Sequence, residues 1–219
     1  MNCSFFDIDY QKIEKPIEHF TAAGLVIPPE LSRAVDKRKI DFLAGRYCAT
    51  KAIAKHLGQD DWLEEIPIGE SRAPLWPLKL IGSITHTKKY GAAIIANDSD
   101  YVGIGIDAEA LIKNASHDLA KHICCEGELE TWLKRPFSQT ELLTLIFSAK
   151  ETLFKCIYPS QLDFFGFHDA RLRHIGEHFV SLELCRKVGV FPKGYSLEIQ
   201  YHLRDNMFLT RGLIQSFPK

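Results

Sequence analysis

The sequence predicts an α+β protein in two halves, each with a long helix and a small sheet. Three observations lead there. Two stretches, 32–57 and 142–158, repeat apolar residues at three-to-four spacing. Each is followed by short apolar runs bounded by turn residues. The chain, 219 residues of which 46% are apolar, is long enough for one large domain or two small joined ones.

In the first helix Ile40, Leu43, Ala44, Tyr47, Ala54 and Leu57 mark the buried face, and Gly58 is a natural stop. The segment IPIGESRAPLWP is punctuated by proline and is expected to be irregular. LIGSIT (80–85), GAAIIA (91–96) and VGIGID (102–107) read as strands, while 111–137 has only patchy helical character. Ser138-Gln139-Thr140-Glu141 is a capping box opening the second helix, whose face is Leu143, Ile146, Phe147, Phe154 and Ile157 and whose end is expected before Pro159. FVSLEL, YSLEIQYHL and MFLTRGLI complete the strands, with RDN as a hairpin turn between the last two.

Charge narrows the function. Lys plus Arg number 27 against 28 Asp plus Glu, so the basic excess typical of nucleic-acid or membrane binding is missing, and neither partner is expected. No apolar run approaches the roughly 20 residues of a membrane span, and MNCSFFDIDYQK has no signal-peptide character. The six cysteines form no CxxC pair and read as reduced thiols of a cytoplasmic protein. Adjacent Cys124 and Cys125 have no His or Cys at ligand spacing, so no zinc site is assigned.

The chemistry begins at GIGIDAEA (103–110), where Asp107 and Glu109 face the same side of a strand. Two such carboxylates repel unless a cation or proton lies between them; the plainer reading is a wetted strand end. Glu151 and Lys155 share a helix face in FSAKETLFK (147–155), with Lys150 about 100° around. Alone they are an ordinary helix ion pair. Together, Asp107, Glu109 and Glu151 offer three hard oxygen ligands suited to Mg²⁺, with lysines placed to meet phosphate charge. Upstream, Arg38, Arg46, Arg72, Thr85, His86, Lys88 and Lys89 include further anion-binding candidates. Single arginines are mostly solvated and a lone histidine is usually structural. What matters is the arrangement, with basic groups in the first half and acidic ligands at the centre and in the second.

The stretches FLAGRYCATKAI (42–53), RAPLWP (72–77), GSITH (82–86), GIDAE (105–109) and FSAKETLFK (147–155) together resemble the 4′-phosphopantetheinyl transferases, in the long branch that activates siderophore and surfactin synthetases. The resemblance covers residues 38–158 in the family's order and spacing. It implies a monomer of two similar α/β subdomains, 1–105 and 106–219, related by a pseudo-twofold with coenzyme A in the cleft between them. The implied reaction is Mg²⁺-dependent, with Mn²⁺ as an alternative ion. A serine of an apo acyl, peptidyl or aryl carrier protein attacks the β-phosphate of coenzyme A, and 3′,5′-ADP leaves. Asp107, Glu109 and Glu151 match the metal ligands. Arg46, Arg72 and His86 match coenzyme A contacts, with Arg38 and Thr85 beside them. Glu151 is the candidate base, directly or through a metal-bound water, Lys155 stabilises the breaking pyrophosphate, and Lys150 neighbours the same phosphates. Lys79 stands where the family often has glycine after the WP pair.

Residues 111–135 mix Leu111, Ile112, Leu119, Ile123 and Trp132 with Lys113, Lys121, Lys134 and Arg135, which suits either an acidic carrier or an amphipathic cover over the core. A metal-dependent nuclease and a coenzyme A-binding module without catalysis are the competing readings. The nuclease lacks its basic track, and Glu151 with Lys155 speaks against the silent module.

Overall fold

A computed structural model describes residues 2–62, 64–69, 72–87, 89–133 and 137–218. The chain divides into two compact units, Met1–Asp100 and Tyr101–Lys219. Among the described residues they hold two antiparallel sheets and five α-helices.

In the first unit, strand β1 (Cys3–Asp9) leads to helix α1 (Pro16–Ala22), a 3₁₀ turn (Pro29–Leu31) and the long helix α2 (Asp36–Leu57). Strands β2 (Leu80–Thr87) and β3 (Tyr90–Asn97) follow, and the sheet order is β1-β3-β2. β1 was not anticipated, although Phe6 and Ile8 turn to the core while Asp7 and Asp9 turn to solvent. α2 starts four residues later than expected, because Val35 is still extended at ψ 150°. It ends where Gly58 adopts φ 66° and Gln59 N–H bonds the Ala54 carbonyl, a left-handed stop. Leu43, Ala44, Cys48, Ala49, Ala52 and Ile53 are buried on its sheet-facing side.

In the second unit, strand β4 (Gly103–Ala110) precedes helices α3 (His117–Ile123), α4 (Glu128–Trp132) and α5 (Gln139–Gln161). Strands β5 (Ala170–Ile175), β6 (Phe179–Leu184), β7 (Ser196–Arg204) and β8 (Met207–Ile214) complete a sheet ordered β4-β8-β7-β6-β5. The capping box forms as expected: Glu141 N–H donates to Ser138 Oγ at 3.3 Å, and Ser138 N–H donates to the Glu141 carboxylate at 2.8 Å. α5 nevertheless runs through Pro159 to Gln161 rather than ending before it. Asp205 and Asn206, both at positive φ, form the two-residue turn joining β7 to β8.

Glycine sets how α5 meets β4. A Cβ on Gly105 would stand 2.7 Å from Cys156 Sγ and closer still to the Thr152 carbonyl oxygen; one on Gly103 would strike the Cys156 carbonyl. The glycine-spaced run GIGI therefore lets the helix backbone lie directly on the strand, next to Asp107.

All six cysteines are free thiols. No helix among the described residues is long and apolar enough to cross a membrane.

Candidate functional site

In the second unit, the close β4–α5 contact brings together residues 48 positions apart. Asp107 is buried, and Lys155 Nζ donates to its Oδ1 at 2.8 Å and to the Ile106 carbonyl at 3.1 Å. Ser148 Oγ donates to Asp107 Oδ2 at 2.8 Å. Thr210 of β8, opposite Asp107 in register, extends the chain of hydroxyls to Ser148 at 2.9 Å and to Thr152 at 2.6 Å. Both carboxylate oxygens are thus held in place, and charge-assisted bonds of this kind are the strong ones.

Glu151 lies on α5 four residues before Lys155. Burial pushes its pKa up, Lys155 opposes the rise, and the negative charge of Asp107 adds to it. A carboxylate raised in this way is a better proton acceptor than an ordinary surface glutamate. Beside it is a cavity of about 200 Å³ lined by Lys150, Glu151 and four phenylalanines, Phe154, Phe164, Phe165 and Phe167. Glu109, half-buried, follows Asp107 on the same face of β4.

The metal question turns on these three carboxylates. Among the described residues, no group of three or more His, Cys, Asp or Glu stands ready to hold a metal ion. The donor chemistry does fit a hard divalent cation: every candidate atom is a carboxylate oxygen. The repulsion Glu151 feels from Asp107 is what such an ion would relieve.

Lys150 has another job. Its Nζ is buried, donating to Glu128 at 2.7 Å and to the Ile123 carbonyl at 3.0 Å. Glu128 also accepts from Cys125 N–H at 2.7 Å and from Leu172 N–H. The geometry makes this pair a tie between α4, α5 and β5, while Lys150 also lines the cavity beside Glu151. Nothing in the sequence around Glu128 marked it as the partner; the two are 22 residues apart.

The anion candidates of the first unit separate into distinct settings. Arg46 is 8% exposed, its Nη2 bonds the Pro67 carbonyl at 3.4 Å, and its guanidinium stacks over Phe42 at 4.9 Å. Burial pushes its pKa down to about 10, against the pull of Glu65. Arg46 Nε and Trp62 Nε1 are buried N–H groups with no acceptor among the described residues. Both residues line a cavity of about 180 Å³, shared with Phe42, Thr50, Glu64 and Glu65. Buried donors left unpaired are costly, and an entering anion would satisfy them. Arg38 and Arg72 are exposed, the latter at φ 62° in the loop bridged by Ile68 and Pro74. Thr85 is buried in β2, and His86 Nδ1 lies 3.9 Å from Asp41 Oδ2. Sequence reasoning missed Asp41, although a carboxylate in the apolar run IDFLAGRY was the available signal. Lys88 lies outside the described residues.

In the segment 111–133, Leu111, Ile112, Leu119 and Trp132 pack against the core of the second unit and Ile123 is buried. Lys113 and Lys121 are its exposed basic groups. Lys134 and Arg135 lie outside the described residues.

Two family models match the chain: the 4′-phosphopantetheinyl transferase N-terminal domain over residues 27–96 and the 4′-phosphopantetheinyl transferase superfamily over residues 103–202. The chain is 34% identical over 146 residues to the 4′-phosphopantetheinyl transferase Npt of Nocardia iowensis, covering 65% of this chain and 62% of that protein. It is 29% identical over 191 residues to enterobactin synthase component D of Salmonella typhi, covering 86% and 77%. Against enterobactin synthase component D of Salmonella typhimurium the figures are 30% over 182 residues, covering 82% and 74%. The match thus spans less than two thirds of the Nocardia protein and about three quarters of the other two.

Proposed function

The chain belongs to the 4′-phosphopantetheinyl transferases of the siderophore-type branch, and on that premise we propose that it moves the phosphopantetheine arm of coenzyme A onto a serine of an apo acyl, peptidyl or aryl carrier protein. The observation that carries the proposal is the convergence of Asp107, Lys155 and the raised Glu151 where β4 meets α5.

In this reading Glu151 takes the proton from the carrier serine as its Oγ bonds to the β-phosphorus of coenzyme A. The bond from that phosphorus to the bridging pyrophosphate oxygen breaks, and 3′,5′-ADP leaves with the bonding electron pair. Lys155, already fixed by Asp107 and the Ile106 carbonyl, puts positive charge beside the diphosphate bond as it breaks, where charge builds on the leaving 5′-phosphate. The hydroxyl chain through Ser148 and Thr210 keeps Asp107 from turning away. Mg²⁺ held by Asp107, Glu109 and Glu151 would neutralise diphosphate charge. The phenylalanine-walled cavity beside Glu151 suits the uncharged pantetheine arm. In the first unit, Arg46 with its unpaired Nε, and His86, are the candidates for coenzyme A phosphates; Arg38, Arg72 and Thr85 stand as further ones.

The test is intact-protein mass spectrometry of an apo-carrier panel incubated with the protein, Mg²⁺ and coenzyme A. The expected result is a gain of about 340 Da, one arm per carrier serine. Unmodified carriers with coenzyme A bound to the protein would overturn the transferase reading in favour of a binding module.

A further inference from the structure

Asp41 is a carboxylate within the sheet-facing half of α2, 6% exposed, in a stretch that otherwise buries Leu43, Ala44 and Cys48. It is held from two sides. Tyr10 Oη, at the end of β1, donates to Oδ1 at 2.9 Å; Lys37 Nζ, one turn earlier on α2, donates to Oδ2 at 2.8 Å. The remaining neighbour is His86 of β2, whose Nδ1 lies 3.9 Å from the same Oδ2. Tyr10, Lys37 and Asp41 also line a cavity of about 630 Å³ together with Gln11, Glu14 and Lys89. A buried acid is expensive unless its neighbours repay the desolvation, and an exposed lysine alone would not require this position. The arrangement sets a fixed carboxylate beside an imidazole edge, close enough for its charge to bias the ring.

We propose that Asp41 is a positioning residue for His86: clamped by Tyr10 and Lys37, it faces the Nδ1 edge of the ring and biases the orientation in which His86 serves coenzyme A binding. The inference rests on the reading of His86 as a coenzyme A contact. At 3.9 Å the contact is a through-space attraction rather than a hydrogen bond. Its effect is expected on substrate binding, because His86 enters the reading as a coenzyme A contact.

A double-mutant cycle on the whole protein tests this, with steady-state transfer at varied coenzyme A and ¹⁵N spectra of the histidine rings. Asp41→Asn is expected to raise KM for coenzyme A roughly five- to tenfold with kcat within about twofold, and to shift the His86 ring nitrogens. In a His86→Ala background, the same substitution is expected to change KM less than about twofold. Tyr10→Phe, which frees only Oδ1, carries the cycle if Asp41→Asn does not fold, and is expected to raise KM about two- to threefold with the same dependence on His86. Additive effects in the cycle, or unmoved His86 resonances, overturn the positioning role while leaving His86 in the site. A His86→Ala protein with unchanged KM overturns the coenzyme A contact itself, and the inference with it.

Discussion

Replacing Gly105 with alanine tests the packing on which the candidate site stands. The added Cβ would meet Cys156 Sγ at 2.7 Å, Cys156 N at 3.1 Å and, closer still, the Thr152 carbonyl. Comfortable contact begins near 3.5–4.0 Å, so α5 and β4 must separate by about 1 Å, and two of the three obstacles are backbone that cannot rotate aside. Overpacking of this kind costs about 1–3 kcal/mol, from which about 0.4–1 kcal/mol is recovered through the stiffer unfolded chain. The same displacement moves Lys155 and Ser148 off Asp107, and a shift of about 1 Å near reacting groups can cost about 100-fold in rate. Urea unfolding and transfer assays on Gly105→Ala are therefore expected to show both losses. Gly166→Ala is the control for the unfolding measurement alone, because its Cβ would meet nothing within 4 Å at an ordinary φ of −105° while the residue lines the cavity beside Glu151. A Gly105→Ala protein with wild-type midpoint and wild-type turnover would refute the close-approach reasoning.

Other consequences follow from the buried charges. Lys150→Met leaves the Glu128 carboxylate buried with only backbone donors, and is expected to cost about 3–5 kcal/mol in urea unfolding; a loss below about 1 kcal/mol would contradict the structural role. Burial alone would raise the pKa of Asp41, but Lys37, Tyr10 and His86 outweigh it and hold the group below its ordinary value. Its native form therefore binds protons less readily than its unfolded form. The stability it adds is full above the ordinary carboxylate range near pH 4 and fades as pH falls through the lower native value. The stability gap between wild type and Asp41→Asn should accordingly shrink below about pH 4, and a gap constant to about pH 2 would contradict the assignment.

Local signals were legible wherever a few neighbouring residues decide the structure. Ser138 and Glu141 announced their own cap, Asp205-Asn206 their own turn, and Gly58 its own helix end. The same holds for Asp107 and Glu109, whose shared face follows from strand geometry. β1 escaped because CSFFDID puts only Phe6 and Ile8 inside, an alternation too short to stand out. Pro159 misled because a proline in the last turn forfeits a single backbone bond, which α5 tolerates. The ion pair of Lys150 could not be read from a helical wheel. Its partner Glu128 arrives from a separate helix, and only the folded chain shows that the ammonium turns inward. Asp41 is the converse case, a polar residue in an apolar face whose reason lies elsewhere in the fold, Tyr10 just past β1 and His86 on β2.

The measurement that bears most directly on the account is single-turnover transfer to an apo-carrier by Glu151→Gln, followed by intact mass, with coenzyme A binding measured alongside. If the Glu151 carboxyl, on α5 with Lys155, receives the serine proton, the rate should fall about 10²- to 10⁴-fold while coenzyme A still binds. Turnover within about threefold of wild type would show that the proton goes elsewhere, and the assignment of this site as the transfer centre would have to be abandoned.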